Sequence, residues 1–367
     1  SGDLHASNLI RALAAAAPGA SFKALGGPAM EAAGADLIHN MLGQFAVMGV
    51  FDALRVVPAI RQLRNRTLDI LDSWRPQAAV LVDYPGFNLN LALHLKRRGI
   101  PVFYYICPQV WAWAPWRIKK IARRIDRALV VFPFEEDLYS AAGIPVDYVG
   151  HPLGDVFAAR GLDTDFISRC PLAGHSEIIA LLPGSRTREI ERGFPIKLAA
   201  ARIIRAARPH AAFAVPVTSD AHAEVVTRHA RAAGIDVHVF VSRTYEIMSM
   251  AAFALATSGT ATLELAHFGV PMVVLYRTSR AGIILKNLLL TTPHIALVNI
   301  VAGRQIVPEL VYAKDESARI ASLALDILSD PRRMTAVRND VRTVGAAIDS
   351  PGASATAAQI ILDSLPA

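Results

Sequence analysis

The sequence predicts an α/β protein built from two doubly wound halves, and three observations predict it. Its 367 residues exceed the ~100–200 typical of one domain and suit two. Short β-branched runs alternate with longer segments rich in Ala, Leu and Arg. The alternation then restarts near residue 178, after a mixed stretch with scattered Gly, Asp and Pro.

In the first half, residues 78–83, 101–106, 128–132 and 146–149 read as buried parallel strands. Residues 7–17 and 57–74 read as helices, the second with Ile60, Leu63, Thr67, Ile70 and Leu71 at helical spacing. In the second half, strands are expected at 178–182, 211–215, 237–241, 252–256 and 271–275. Residues 152–175 suit an interdomain connection, giving an expected division into residues 1–155 and 156–340. Residues 341–367, with an Ala-rich tail, are expected to end in a helix that packs on the first domain or on a partner chain. Two such halves facing each other place a ligand cleft at the carboxyl ends of their strands.

Composition narrows the function. Apolar residues at 53% and charged residues at 19% suit folded cores and argue against disorder. Cys107 and Cys170 stand apart with no CxxC spacing, so a disulfide framework or zinc site is not indicated and a reducing compartment is expected. The histidines show no HExxH spacing and the carboxylates no EF-hand pattern, so the expected chemistry uses no metal and no cofactor. No run approaches the ~18–20 apolar residues of a spanning helix. A net charge of +7 favours anionic partners.

Candidate ligand residues cluster where strands are expected to end. Pro183-Gly184-Ser185-Arg186, followed by Arg188 and Glu189, offers close backbone approach and two cations to a diphosphate, although an ordinary turn with solvated arginines looks the same. Thr257-Ser258-Gly259-Thr260 opens a helix with hydroxyls and a glycine, suiting either a phosphate or a simple cap, and Glu264 lies one turn on, within reach of a ribose. Val82-Asp83-Tyr84-Pro85-Gly86 sends a carboxylate out of a buried strand. Asp83 is thus the candidate base for a sugar hydroxyl, or else a turn former.

Two further segments bear on an acceptor. Residues 41–57 are apolar for a region beside turns, with Met48, Val50 and Phe51 available to receive acyl chains or to pack on a core. Trp111, Trp113 and Trp116 precede Arg117, Lys119, Lys120, Arg123, Arg124 and Arg127, a mixture suited to an anionic membrane surface, where each cation adds ~1 kcal/mol. Nucleic-acid stacking or plain surface charge are the alternatives, and no nucleic-acid partner is expected.

In order and spacing, Ser1-Gly2-Asp3, Gly26-Gly27-Pro28 with Met30, Ala46-Val47-Met48-Gly49, Asp83 through Pro85 to Phe87-Asn88, and Gln109-Val110-Trp111-Ala112-Trp113 resemble the lipid A disaccharide synthases. So do Phe132-Pro133-Phe134-Glu135, Val149-Gly150-His151-Pro152, Leu182 to Arg186, Ser258 to Ala261 with Leu263-Glu264, and Asn299 with Ala302-Gly303-Arg304. The resemblance implies a GT-B glycosyltransferase that joins UDP-2,3-diacylglucosamine to 2,3-diacylglucosamine 1-phosphate, forming a β-1,6 disaccharide phosphate and UDP. It implies a cytoplasmic enzyme, peripheral on the inner membrane of a Gram-negative bacterium; a homo-oligomer is left open. It also implies nucleotide-sugar or active-site roles for Ser1, Arg186, Glu264 and Asn299, and the catalytic carboxylate for Asp83.

Three departures stand out. A strand and a Ser-Gly-Glu expected before Ser1-Gly2-Asp3 are missing, which reads as a truncated start. Tyr312 stands where the family has Gln, and Phe87 where an acidic residue is sometimes found. The rival readings are a UDP-sugar 2-epimerase of the same fold class and a non-enzymatic, basic, membrane-associating nucleotide-binding protein.

Overall fold

The computed structural model describes residues 2–41, 50–112, 114–283 and 290–365, with the backbone alone for 50–56. The chain divides into two units, Ser1–Ala159 with Ser350–Ala367, and Arg160–Asp349.

The first unit holds a parallel pair, β1 (Lys23–Gly26) and β2 (Asp36–Asn40), and a four-stranded parallel sheet. The sheet comprises β3 (Ala79–Val82), β4 (Val102–Tyr105), β5 (Arg127–Val130) and β6 (Val146–Tyr148), side by side in chain order. Every residue of β4 is buried, as a central parallel strand covered on both faces requires. Leu81, Leu91, Leu95 and Ile121 pack around it. The helix Val50–Trp74 begins before the expected position and carries Pro58 in its interior.

Strands β1 and β2 escaped the sequence reading because they are short and have polar ends. Asp3 holds the segment that follows β1. Its carboxylate accepts the backbone N–H groups of Gly27, Ala29 and Met30 at 2.9, 3.1 and 3.2 Å, filling the donors at the start of the helix Pro28–Ala32. An apolar cavity of about 330 Å³, lined by Leu9, Leu25, Trp74, Val80 and Leu91, lies between β1 and β3. The helices Gly2–Ala16 and Ala353–Asp363 pack against each other. Asp155 pins the second of them by accepting Ser354 N at 2.8 Å.

The second unit is a six-stranded, all-parallel sheet. Its strands are β7 (Ile178–Leu182), β8 (Ala212–Val217), β9 (His238–Val241), β10 (Phe253–Thr257), β11 (Met272–Arg277) and β12 (Glu309–Tyr312). The spatial order is β12-β11-β10-β7-β8-β9. The chain therefore builds outward from β7 to β9, returns to the other side of β7, and builds outward again. Between β7 and β10 the winding reverses, and that is where open α/β sheets bind ligands beyond their carboxyl ends. The helix Thr187–Ala207 covers one face with Ile190, Phe194, Leu198, Ala201 and Ile204, all buried. Tyr312 is part of the same core.

Candidate functional site

The turn after β7 is shaped by what surrounds Gly184. Its φ of +112° lies in the left-handed region, and a Cβ there would stand 2.9 Å from Glu189 Oε2 and 3.7 Å from Thr257 Oγ1. Both facts demand glycine. Arg186 is the N-cap residue of the helix Thr187–Ala207, and its guanidinium Nη1 donates to Glu189 Oε1 at 2.7 Å. The other Glu189 oxygen accepts Ser185 N at 3.3 Å. Glu189 thus orients both the turn and the arginine, whose side chain stays 60% exposed. Arg188 is exposed on the first helical turn.

Beside this turn, β10 ends in Thr257, whose hydroxyl donates to Leu182 O at 3.0 Å and accepts Lys197 Nζ at 2.7 Å. Lys197 is 1% exposed. Burial pulls its ammonium down to about pKa 7, with Glu189 opposing that pull. Sequence reasoning missed this lysine. The signal was present: Lys197 falls on the stripe of Ile190, Phe194, Ala201 and Ile204, a cation on an apolar helix face.

Ser258 Oγ donates to Ile295 O at 3.3 Å, and Gly259 has φ +152°. Thr260 is the N-cap residue of the helix Ala261–His267, and its side chain makes no capping bond. Glu264 Oε1 accepts the Tyr245 hydroxyl at 3.1 Å. Burial raises the Glu264 pKa, and this hydrogen bond works against the rise. Tyr245 in turn lies under the Arg160 guanidinium, 5.0 Å from its ring centre.

Asn299 is fully buried, and its amide is used up by the protein. Oδ1 accepts Ile306 N and Val307 N at 2.9 and 3.0 Å; Nδ2 donates to Val307 O and Glu309 Oε2 at 3.0 and 3.2 Å. Glu309 also accepts Ile295 N and Ala296 N, at 3.1 and 2.8 Å. Asn299 therefore shapes the loop whose Ile295 carbonyl meets Ser258. The second unit thus gathers Gly184, Arg186, Ser258, Gly259 and Thr260 at the ends of two neighbouring strands, with Glu264 one turn along and Asn299 supporting from behind.

In the first unit, Asp83 and Tyr84 follow β3 with φ of 47° and 45°, two consecutive non-glycine residues in the left-handed region. The Asp83 carbonyl accepts Tyr104 Oη and Asn88 Nδ2, each at 2.7 Å, and Asn88 also donates to Val82 O. These bonds clamp the backbone. The carboxylate is exposed and has no hydrogen bond or ion pair among the described residues.

Trp111 is half-buried and anchored. Its indole N–H donates to Glu135 Oε1 at 2.8 Å, and its ring meets Phe134 edge-on at 5.2 Å. Glu135 is buried and also accepts Val131 N and Phe132 N, each at 3.1 Å. Burial pushes its pKa up, and these three hydrogen bonds pull the other way. The sequence reading did not assign Glu135. Trp116, in contrast, is 59% exposed beside exposed Lys120 and half-buried Arg117. Ser1, Met48 and Trp113 lie outside the described residues, as do the side chains of Val50 and Phe51.

Among the described residues no cluster of three His, Cys, Asp or Glu side chains is arranged to hold a metal, and no helix is long and apolar enough to cross a membrane.

The chain matches the lipid-A-disaccharide synthetase family over residues 1–360. It is 37% identical over 365 residues to the lipid-A-disaccharide synthase of Geobacter metallireducens, covering 100% of this chain and 95% of that protein. The synthase of Syntrophus aciditrophicus is 37% identical over 363 residues, covering 99% and 94%. Among solved structures, an S. aureus MnaA–UDP co-structure superposes with a TM-score of 0.60 at 12% identity, covering 98% and 92%. Sucrose-phosphate synthase from Thermosynechococcus elongatus gives 0.59 at 13%, covering 97% and 91%. A UDP-GlcNAc 2-epimerase from Neisseria meningitidis gives 0.54 at 16%, covering 83% and 81%. Such distant likenesses show the GT-B fold and leave the reaction open. The family match and the far closer relatives decide between transferase and epimerase: the chain belongs to the lipid-A-disaccharide synthetase family and is a glycosyltransferase.

Proposed function

We propose that Asp83 is the general base of this transferase and that the turns after β7 and β10 hold the UDP of the donor sugar. The reaction is that of the family: UDP-2,3-diacylglucosamine and 2,3-diacylglucosamine 1-phosphate give the β-1,6 disaccharide phosphate and UDP. In this reading the acceptor 6-hydroxyl attacks the anomeric carbon from the face opposite the α-linked UDP and inverts it. Asp83 takes the hydroxyl proton, for which its carboxylate is exposed and has no partner among the described residues. Negative charge grows on the departing UDP, and Arg186, already aimed by Glu189, offsets it. Ser258, Gly259 and Thr260 line the phosphate side, Arg188 adds charge, and Glu264 accepts from the ribose.

The observation that carries this reading is the adjacency of β7 and β10 at the reversal of winding, which puts the Gly184 turn beside the Ser258 turn. The acceptor's membrane is read as anionic and as the cytoplasmic face of a Gram-negative inner membrane. Trp116, Lys119, Lys120 and Arg123 are exposed to meet it. Arg127 is paired with Asp147 at 2.5 Å, and Arg124 donates to Leu89 O, so those two cations serve the fold.

Incubation with both substrates and mass spectrometry for the disaccharide phosphate tests the reading. Acceptor-dependent release of UDP supports it, and isomerised UDP-sugar formed without acceptor counts against it.

A further inference from the structure

We propose that Lys197 is a positioning residue for the diphosphate of the donor, acting through Thr257 and the Gly184 turn rather than by touching the sugar. The proposal rests on the assignment of the turns after β7 and β10 to the nucleotide.

Burying a lysine carries a large desolvation cost, and an apolar residue of similar length would fill the same place without it. Its packing role alone therefore does not account for the ammonium. Neither does closure of the turns, since the Thr257 hydroxyl already reaches Leu182 O and joins the ends of β7 and β10. What the ammonium adds is orientation and charge. By donating to Thr257 Oγ1 at 2.7 Å it obliges that hydroxyl to spend its single proton on Leu182 O, which fixes the rotor. It also changes the balance of the turn. A diphosphate arriving at the turn favours the protonated form of this lysine, so the ammonium adds positive charge behind the Arg186–Glu189 ion pair. Gly184 fits the same design: a side chain there would press on Glu189 and approach Thr257, the two groups that stand next to the lysine.

The test compares the wild type with Lys197→Met, which keeps the length and removes the charge, by calorimetric titration of UDP, steady-state kinetics and melting without ligand. The variant is expected to melt at or above the wild-type temperature, since a buried charge has gone. Its UDP Kd and its KM for the UDP-sugar are expected to rise about tenfold or more, the worth of a hydrogen bond to a charged group, while kcat at saturation changes by less than about threefold. Thr257→Val severs the link from the other side. It is expected to weaken UDP in the same direction, and the double variant to be no weaker than Lys197→Met.

A UDP Kd within about twofold of wild type in Lys197→Met overturns the proposal. If that variant does not fold, unchanged UDP affinity in Thr257→Val overturns it equally. Wild-type protein that binds no UDP overturns the nucleotide assignment itself, a result separable from loss in the variants alone.

Discussion

Gly184 and Asp83 each sit just beyond a parallel strand with a positive φ, 112° and 47°, yet the two turns solve opposite problems. At Gly184 a side chain is disfavoured by the left-handed backbone and would crowd Glu189. At Asp83 the chain keeps a side chain despite the strain and pins the backbone with Tyr104 and Asn88, while the carboxylate has no partner among the described residues. On the proposed reading, the first turn leaves room for a ligand at the backbone, and the second spends conformational energy to present one reactive group.

The largest expected effect breaks the second turn only. Asn tolerates the left-handed region, so Asp83→Asn should fold normally, lower kcat by ~10²–10⁴-fold and leave UDP affinity unchanged. Steady-state kinetics and UDP titration on one preparation check it. Gly184→Ala should do the reverse, weakening UDP and costing about 1–3 kcal/mol of stability, measured by denaturant melts. Tyr104→Phe, which removes one clamp from the Asp83 carbonyl, should lower kcat by about tenfold with UDP affinity intact, the scale of a single hydrogen bond.

Proton linkage sharpens the same contrast. In the first unit burial lowers His5 to about pKa 4 and His151 to about 3, below the 6.5 of the unfolded chain. The unfolded state binds more protons below pH 6.5, so stability should fall as pH drops from 6.5 toward 4 and 3. In the second unit Lys197, at about 7 folded against 10.5 unfolded, should make stability rise between pH 7 and 10.5. Lys197→Met should flatten the alkaline slope and leave the acid one. The smallest effect concerns the surface: Trp116→Ala should weaken binding to anionic vesicles a few-fold, by about 1 kcal/mol, in a sedimentation assay.

Much of the architecture was legible. Buried parallel strands are short, apolar and β-branched, so β3 to β11 fall within a residue or two of their expected positions. Strands β1, β2 and β12 were not, because Lys23, Asp36, Asn40 and Glu309 at their ends dilute the signal. Strand order was also hidden. Periodicity says which residues face a core and nothing of which strand lies alongside, so the pairing of β7 with β10 needed the structure. The turn residues stood out by type, since Gly, Ser, Thr, Arg and Asp have recognisable uses at strand ends. Their supports did not: sequence alone does not show that Lys197 reaches Thr257, that Glu135 holds the Trp111 indole, or that Asn299 bonds the backbone at Ile306 and Val307.

The division of labour between the two turns is tested most directly by titrating UDP into wild type, Asp83→Asn and Gly184→Ala in one calorimetric series. Equal affinity in wild type and Asp83→Asn, with marked loss in folded Gly184→Ala, is the predicted result. UDP binding that collapses in Asp83→Asn and survives in Gly184→Ala would contradict it.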